Sequence, residues 1–206
     1  MILYLVRHGE SEHNASGAYQ DSNSKLTPLG INQSIELSNR ISKIKADLII
    51  ASQFLRTRHT AEIVSKEIGR EITYSDLFVE IKRATEVERK TINDPIVKRF
   101  KELVRENFSD PSFRFSDEET FFDFRSRVTK ALQYLISLNK QSIILISHGA
   151  VFKMMVSIMA YGEEVDPNTY LKLRNLLHDH NTGITMCEYE DEKWKLLTWN
   201  DYAHLG

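Results

Sequence analysis

The chain has one cysteine, Cys187, among 206 residues. An internal disulfide is therefore impossible. None is needed, because a chain longer than ~150 residues buries most of its unfolded surface. Cys187 lies in an apolar, strand-like run, which suits a buried structural thiol rather than a reactive one. Glycine and proline are also scarce, at 8 and 4. With no repeat, no low-complexity tract and no linker rich in Gly, Pro or Ser, the sequence predicts one domain over residues 1–206. No apolar run is long enough to cross a bilayer. Met1 to Val6 is apolar, but it is too short for the core of a secretory signal and lacks a basic lead-in, so the expected compartment is the cytoplasm. The 27 Lys and Arg nearly balance the 29 Asp and Glu, leaving a net charge of −2. That balance gives no bulk attraction to nucleic acid or to an anionic membrane, so any anion site has to be local.

What the sequence does contain is a set of short apolar runs separated by helical patterns. Ile2–Val6, Asp47–Ala51 and Ser142–Ser147 read as strands buried on both faces, as in a parallel sheet. Ile72–Val79 is a weaker strand candidate. Ile184–Tyr189 and Trp194–Trp199 flank Glu190-Asp191-Glu192-Lys193 and predict a hairpin at a sheet edge. Thr27-Pro28 supplies an N-cap and a proline at the first helical position, opening a helix to about Ile44. Further helices are expected over Phe54–Ile68, Asp94–Phe108 and Val151–Ala160. Ser116 and Glu119 form a capping-box pattern before a helix that carries Phe121, Phe124, Val128, Ala131, Leu132 and Leu135 on one stripe. Strands alternating with helices predict an α/β fold: a three-layer sandwich with a mostly parallel central sheet, helices on both faces and an antiparallel edge strand.

In such sheets, ligands bind beyond the carboxyl ends of the strands. The first strand ends in Arg7-His8-Gly9-Glu10 and the third strong one in Ser147-His148-Gly149. The second ends at Ser52, with Arg56-Thr57 about one helical turn on. Two histidines and two arginines thus reach the same sheet edge. A glycine after each histidine permits a sharp turn and a close backbone approach to a ligand. Arginine suits a tetrahedral anion because its planar fork makes paired, charge-assisted hydrogen bonds. The first strand–helix turn has no G-x-G-x-x-G, which disfavours a dinucleotide-binding oxidoreductase.

In order and spacing, these motifs resemble the histidine phosphatase superfamily, the phosphoglycerate mutase-like branch 1. The resemblance is carried by Arg7-His8-Gly9-Glu10-Ser11 with Asn14, by Leu26-Thr27-Pro28-Leu29-Gly30 with Gln33, by Ser52-Gln53-Phe54-Leu55-Arg56-Thr57 with Thr60-Ala61, by Ser147-His148-Gly149 and by Asn181. It implies a phosphatase acting on phosphate monoesters of small molecules, with His8 as a nucleophile phosphorylated on Nε2. Arg7, Arg56 and His148 would hold the phosphoryl oxygens, Asn14 and Gly149 would contact the bound group, and Glu80 would protonate the leaving group. Many relatives follow that glutamate with an aromatic residue and a Glu-Gly pair. This chain has Ile81-Lys82-Arg83-Ala84-Thr85-Glu86-Val87-Glu88-Arg89-Lys90 instead, so Glu86 and Glu88 stay alternative donors. Lys82, Arg83, Arg89 and Lys90 read either as a receiver for acidic parts of a substrate or as a solvated face. The remaining histidines lack compact metal-ligand spacing apart from His178-Asp179-His180, which reads as a loop leading to Asn181, so neither metal nor cofactor is expected. Two alternatives remain: a phosphoglycerate mutase, which would use the same histidine, and a non-catalytic binder of phosphorylated ligands, against which the intact His8, Arg7, Arg56 and His148 argue. No exposed heptad indicates an oligomeric state.

Overall fold

The computed structural model describes residues 1–206. Six strands form one sheet in the order β3-β2-β4-β1-β5-β6, with β1 Ile2–Arg7, β2 Leu48–Ala51, β3 Ile72–Tyr74, β4 Ser142–Ser147, β5 Ile184–Glu190 and β6 Lys193–Asp201. β1 to β4 run parallel, while β5 pairs antiparallel with both β1 and β6. The expected mostly parallel sheet with an antiparallel edge is present. The hairpin turns at Asp191 and Glu192, both at positive φ (49° and 59°), the conformation a tight two-residue loop requires.

The two faces of the sheet follow from alternation along each strand. Leu3, Leu5, Ile143 and Leu145 face one way, into a core with α5 (Phe121–Ser137) and α6 (Gly149–Tyr161). Val6, Ile144 and Ile146 face the other way, against α2 (Pro28–Ile41) and α3 (Leu55–Ile68). A third, small cluster of Ala84, Val87, Val97 and Phe100 sits under α4 (Pro95–Glu106). Cys187 lies in the first core and is fully buried. No helix is long and apolar enough to cross a membrane.

Three local expectations differ from the structure. The helix at Phe121 is capped by Thr120 and Asp123, not by Ser116 and Glu119. Glu119 is drawn away because both its oxygens accept from Arg127, at 2.7 Å each. Ser116 instead donates to Glu86. The run Ile72–Val79 stays extended only to Tyr74. Ser75 then caps a 3₁₀ turn over Asp76–Phe78, accepting from the Leu77 N–H. Two helices are new: α1 (Glu12–Ser16) and α7 (Pro167–Leu176).

α2, which follows β1, covers one face, and α6, which follows β4, covers the other. The adjacent carboxyl ends of β1 and β4 therefore open the crevice where ligands collect in open α/β sheets.

Candidate active site

His8 and His148 stand at that crevice with ring centroids 5.3 Å apart. The backbone around His8 is held from several directions. Its N–H donates to the Ser147 carbonyl at 3.1 Å, tying the ends of β1 and β4 together. Its carbonyl accepts from Asn181 Nδ2 at 2.9 Å, and the following Gly9 N–H donates to Thr60 Oγ1 at 3.1 Å.

The tautomers follow from donor chemistry. Arg56 Nε can only donate, and it lies 3.2 Å from His8 Nε2. That nitrogen must therefore be an acceptor, and the ring proton sits on Nδ1, donating to the Gly9 carbonyl at 2.7 Å. Arg56 Nη2 likewise donates to His148 Nδ1 at 3.2 Å, so His148 carries its proton on Nε2, which donates to Ser52 Oγ at 2.9 Å. One guanidinium thus bridges both imidazoles. Its third arm, Nη1, donates to the Asp21 carbonyl at 2.8 Å.

Burial sharpens this arrangement. His8 is 2 % exposed, Arg56 1 % and His148 0 %. Burial and the charges of Arg56 and Arg7 push the His8 imidazole well below the ordinary histidine range. His148 is pushed the same way by burial and by Arg56. Both rings are neutral at neutral pH. Burial also lowers Arg56 to about 10, partly offset by the negative charges of Glu80 and Asp21, so it stays charged. A buried cation beside two neutral rings leaves the pocket with uncompensated positive charge, which an incoming anion relieves.

Arg7 closes another side. Its Nη1 donates to the Asp179 carbonyl at 2.8 Å and pairs with Asp179 Oδ2 at 3.0 Å. Its Nε is buried without a protein partner. Asp179 also pairs with Lys153, which places it at the centre of a clamp that sequence spacing does not reveal. The glycines also admit close packing. A Cβ on Gly149 would come within 2.1 Å of Asp179 Oδ2, and one on Gly9 within 2.3 Å of the Gly30 carbonyl. The missing side chain of each therefore makes room for another part of the protein. The Gly149 N–H still opens α6 without an intrahelical acceptor.

Asn14 is engaged locally. Its Oδ1 accepts from the Ser11 N–H at 3.2 Å in the capping box of α1, and it lies 3.4 Å from Asn181 Nδ2. Glu80 is half-buried, and Oε1 accepts from the Ile81 N–H at 2.9 Å. Of the three candidate acids, only Glu80 is electrostatically coupled to Arg56. Glu86 is exposed and accepts from Ser116. Glu88 is raised by burial and by Asp21 and Asp117, in the outer loop. The basic loop is mostly paired off: Lys82 with Asp117, Arg89 with Asp21 and Lys90 with Asp94. Arg83 instead lies over the Tyr19 ring, at 5.9 Å. No group of three or more His, Cys, Asp or Glu side chains is arranged to hold a metal ion.

Fold and site together define an α/β protein in which two imidazoles and two arginines converge at the carboxyl end of the sheet. The sequence profile of the histidine phosphatase superfamily (branch 1) matches residues 3–202, and the chain belongs to that family. It is 30 % identical over 206 residues to a Hydrogenobacter thermophilus protein provisionally named phosphoserine phosphatase 2, covering 98 % of this chain and 96 % of that one. It is 29 % identical over 211 residues to a Salmonella arizonae protein provisionally named phosphoglycerate mutase GpmB, covering 98 % and 94 %. Among solved structures, phosphoserine phosphatase of Entamoeba histolytica in complex with 3-phosphoglyceric acid superposes with a TM-score of 0.80 at 27 % identity, over 99 % of this chain and 98 % of that one.

Proposed function

We propose that the protein is a metal-independent phosphatase that hydrolyses small phosphate monoesters through a phosphohistidine on His8. The observation that carries this reading is the Arg56 bridge. By donating to His8 Nε2, it requires that nitrogen to present a lone pair. The family and the relatives named as phosphatases support the same reading.

In the first step, the ester dianion displaces Arg56 Nε from His8 Nε2 and takes up its hydrogen bonds. Nε2 attacks phosphorus in line, the N–P bond forms and the P–O bond to the leaving group breaks. The imidazole keeps its Nδ1 proton on the Gly9 carbonyl, which stabilises the developing positive charge. Arg7, Arg56 and His148 hold the equatorial oxygens, with the Gly149 N–H at the start of α6. Phosphoryl transfer needs mainly position and charge stabilisation, which these groups can supply. Glu80, protonated in this step, gives its proton to the departing alkoxide. In the second step, the Glu80 carboxylate takes a proton from water, the hydroxide attacks phosphorus and the N–P bond breaks to release phosphate. Splitting the hydrolysis in this way replaces one difficult step with two easier ones.

The expected outcome is turnover of p-nitrophenyl phosphate that persists in EDTA, with an acid-labile phosphoenzyme trapped by rapid quenching. His8→Ala should lose both. Glu80→Gln should slow alkyl phosphates by about 100-fold or more, and p-nitrophenyl phosphate much less. Near-normal turnover in His8→Ala overturns the nucleophile assignment. Rapid isomerisation of 3-phosphoglycerate with catalytic bisphosphate, and no release of free phosphate, would make the protein a mutase.

A further inference from the structure

A second cavity, about 220 Å³ in volume, lies between α4 and α7. Its wall is partly aromatic, with Tyr19 and Phe108 among the lining residues. Four cations surround it: Arg83, Lys101, Arg105 and Arg174. No acidic residue lines it, and none of the four cations has a carboxylate partner. The cavity is thus a local cluster of positive charge on a chain whose overall charge is −2. In the loop carrying Arg83, the neighbouring Lys82, Arg89 and Lys90 are each paired with an aspartate. Four like charges around one cavity repel each other and gain nothing for stability unless an anion joins them.

The loops that line the cavity also carry residues of the His8 pocket, and Arg83 lies over the Tyr19 ring where the two loops meet. Arg83 is three residues beyond Glu80. Tyr19 is two residues before Asp21, whose carbonyl anchors Arg56. The two loops are joined at this point by Tyr19 N–H to the Lys90 carbonyl and Arg89 N–H to the Tyr19 carbonyl, at 3.0 and 2.8 Å. The buried Tyr170 hydroxyl of α7 feels Arg174, Arg83 and Glu80 together.

We infer that this cavity is a second anion subsite of the same active site, and that the substrate is a phosphomonoester with an apolar body ending in a second anionic group. The inference rests on the phosphatase reading for the orientation of the ester. The apolar wall takes the body, and the cations take the distal carboxylate or phosphate through charge-assisted hydrogen bonds.

Calorimetry on the His8→Ala protein tests this without turnover. The two ligands are 2-phenylethyl phosphate and 2-(4-carboxyphenyl)ethyl phosphate, which share the body and the ester and differ only at the far end. The carboxylate should bind about tenfold more tightly or better, and the preference should shrink as salt rises. Adding Lys101→Gln, Arg105→Gln and Arg174→Gln should bring the ratio close to one. The three positions are exposed or half-buried, so the fold should tolerate them. A 4-phosphono ligand separates the two anion sources: tighter binding than the carboxylate identifies a distal phosphate, and weaker binding a distal carboxylate. Equal affinity for charged and uncharged ligands overturns the subsite, even if both esters are hydrolysed by the native enzyme. Discrimination in binding with no hydrolysis of either ester overturns the phosphatase reading and leaves the subsite standing.

Discussion

At the scale of single residues, the pocket is organised by one side chain. Arg56 contacts His8, His148 and the Asp21 carbonyl at once. Lysine carries the same charge but cannot reproduce three planar donors. The two imidazoles are buried as neutral bases, which has a cost in acid. Their folded pKa values lie below the unfolded value of about 6.5, so below that pH the unfolded chain binds protons that the folded chain refuses. Stability is then full above about pH 6.5 and falls as pH drops, by up to ~1.4 kcal/mol per pH unit for each histidine. Urea unfolding at pH 7.5 and 5.5 should differ by about 2–3 kcal/mol from this pair alone. A flat profile would mean that both rings take up protons in the fold as readily as in the unfolded chain. Much of this cluster is legible in the sequence, because His8 and His148 each end a buried strand and Arg56 follows a third. Asp21 is not, since it contributes a carbonyl that any residue could supply. Asp179 is hidden between two histidines in a segment without periodicity.

At the scale of elements, α5 positions Glu80, the proposed acid. Arg127 on this helix donates to the carbonyls of Leu77 and Val79 at 3.0 and 2.9 Å, and both oxygens of Glu119 accept from it. It thereby fixes the backbone that delivers Glu80. Arg127→Gln should therefore lower kcat for alkyl phosphates by about tenfold or more while p-nitrophenyl phosphate, which needs no proton, falls less. An equal fall on both esters would indicate a purely structural role. The helices themselves show what sequence pattern can and cannot reveal. Thr27-Pro28 marks the start of α2 correctly, and Asp94-Pro95 does the same for α4. Asp166-Pro167 carries the same signal for α7, but the helix buries only Tyr170 and so lacks a strong apolar stripe. α1 has five residues, too few for any period. The capping box shifts from Ser116 to Thr120 because the Glu119 carboxylate finds a guanidinium, a tertiary contact that local spacing cannot register.

At the scale of the whole molecule, the layers place chemistry and mass differently. The sheet and its two helical faces account for the main cores. The cation-lined cavity rests on the small cluster under α4, which shares Phe100 with its wall. Strands buried on both faces were readable from unbroken apolar runs, so the architecture followed from the sequence. The loop pairing that joins Tyr19 to Lys90 did not, because backbone bonds between loops leave no mark on composition. Cys187 has a consequence for the laboratory. Its thiol is buried and pushed up to about 12 by that burial, far from the thiolate that alkylating agents and peroxide attack. Turnover should survive iodoacetamide and hydrogen peroxide at neutral pH, and loss of activity on such treatment would show that the first core opens readily. With its native thiol silent, the chain can accept one new surface cysteine as a unique attachment point for a fluorophore, so motion of the loops over the pocket can be followed without first stripping the protein of a reactive sulfur.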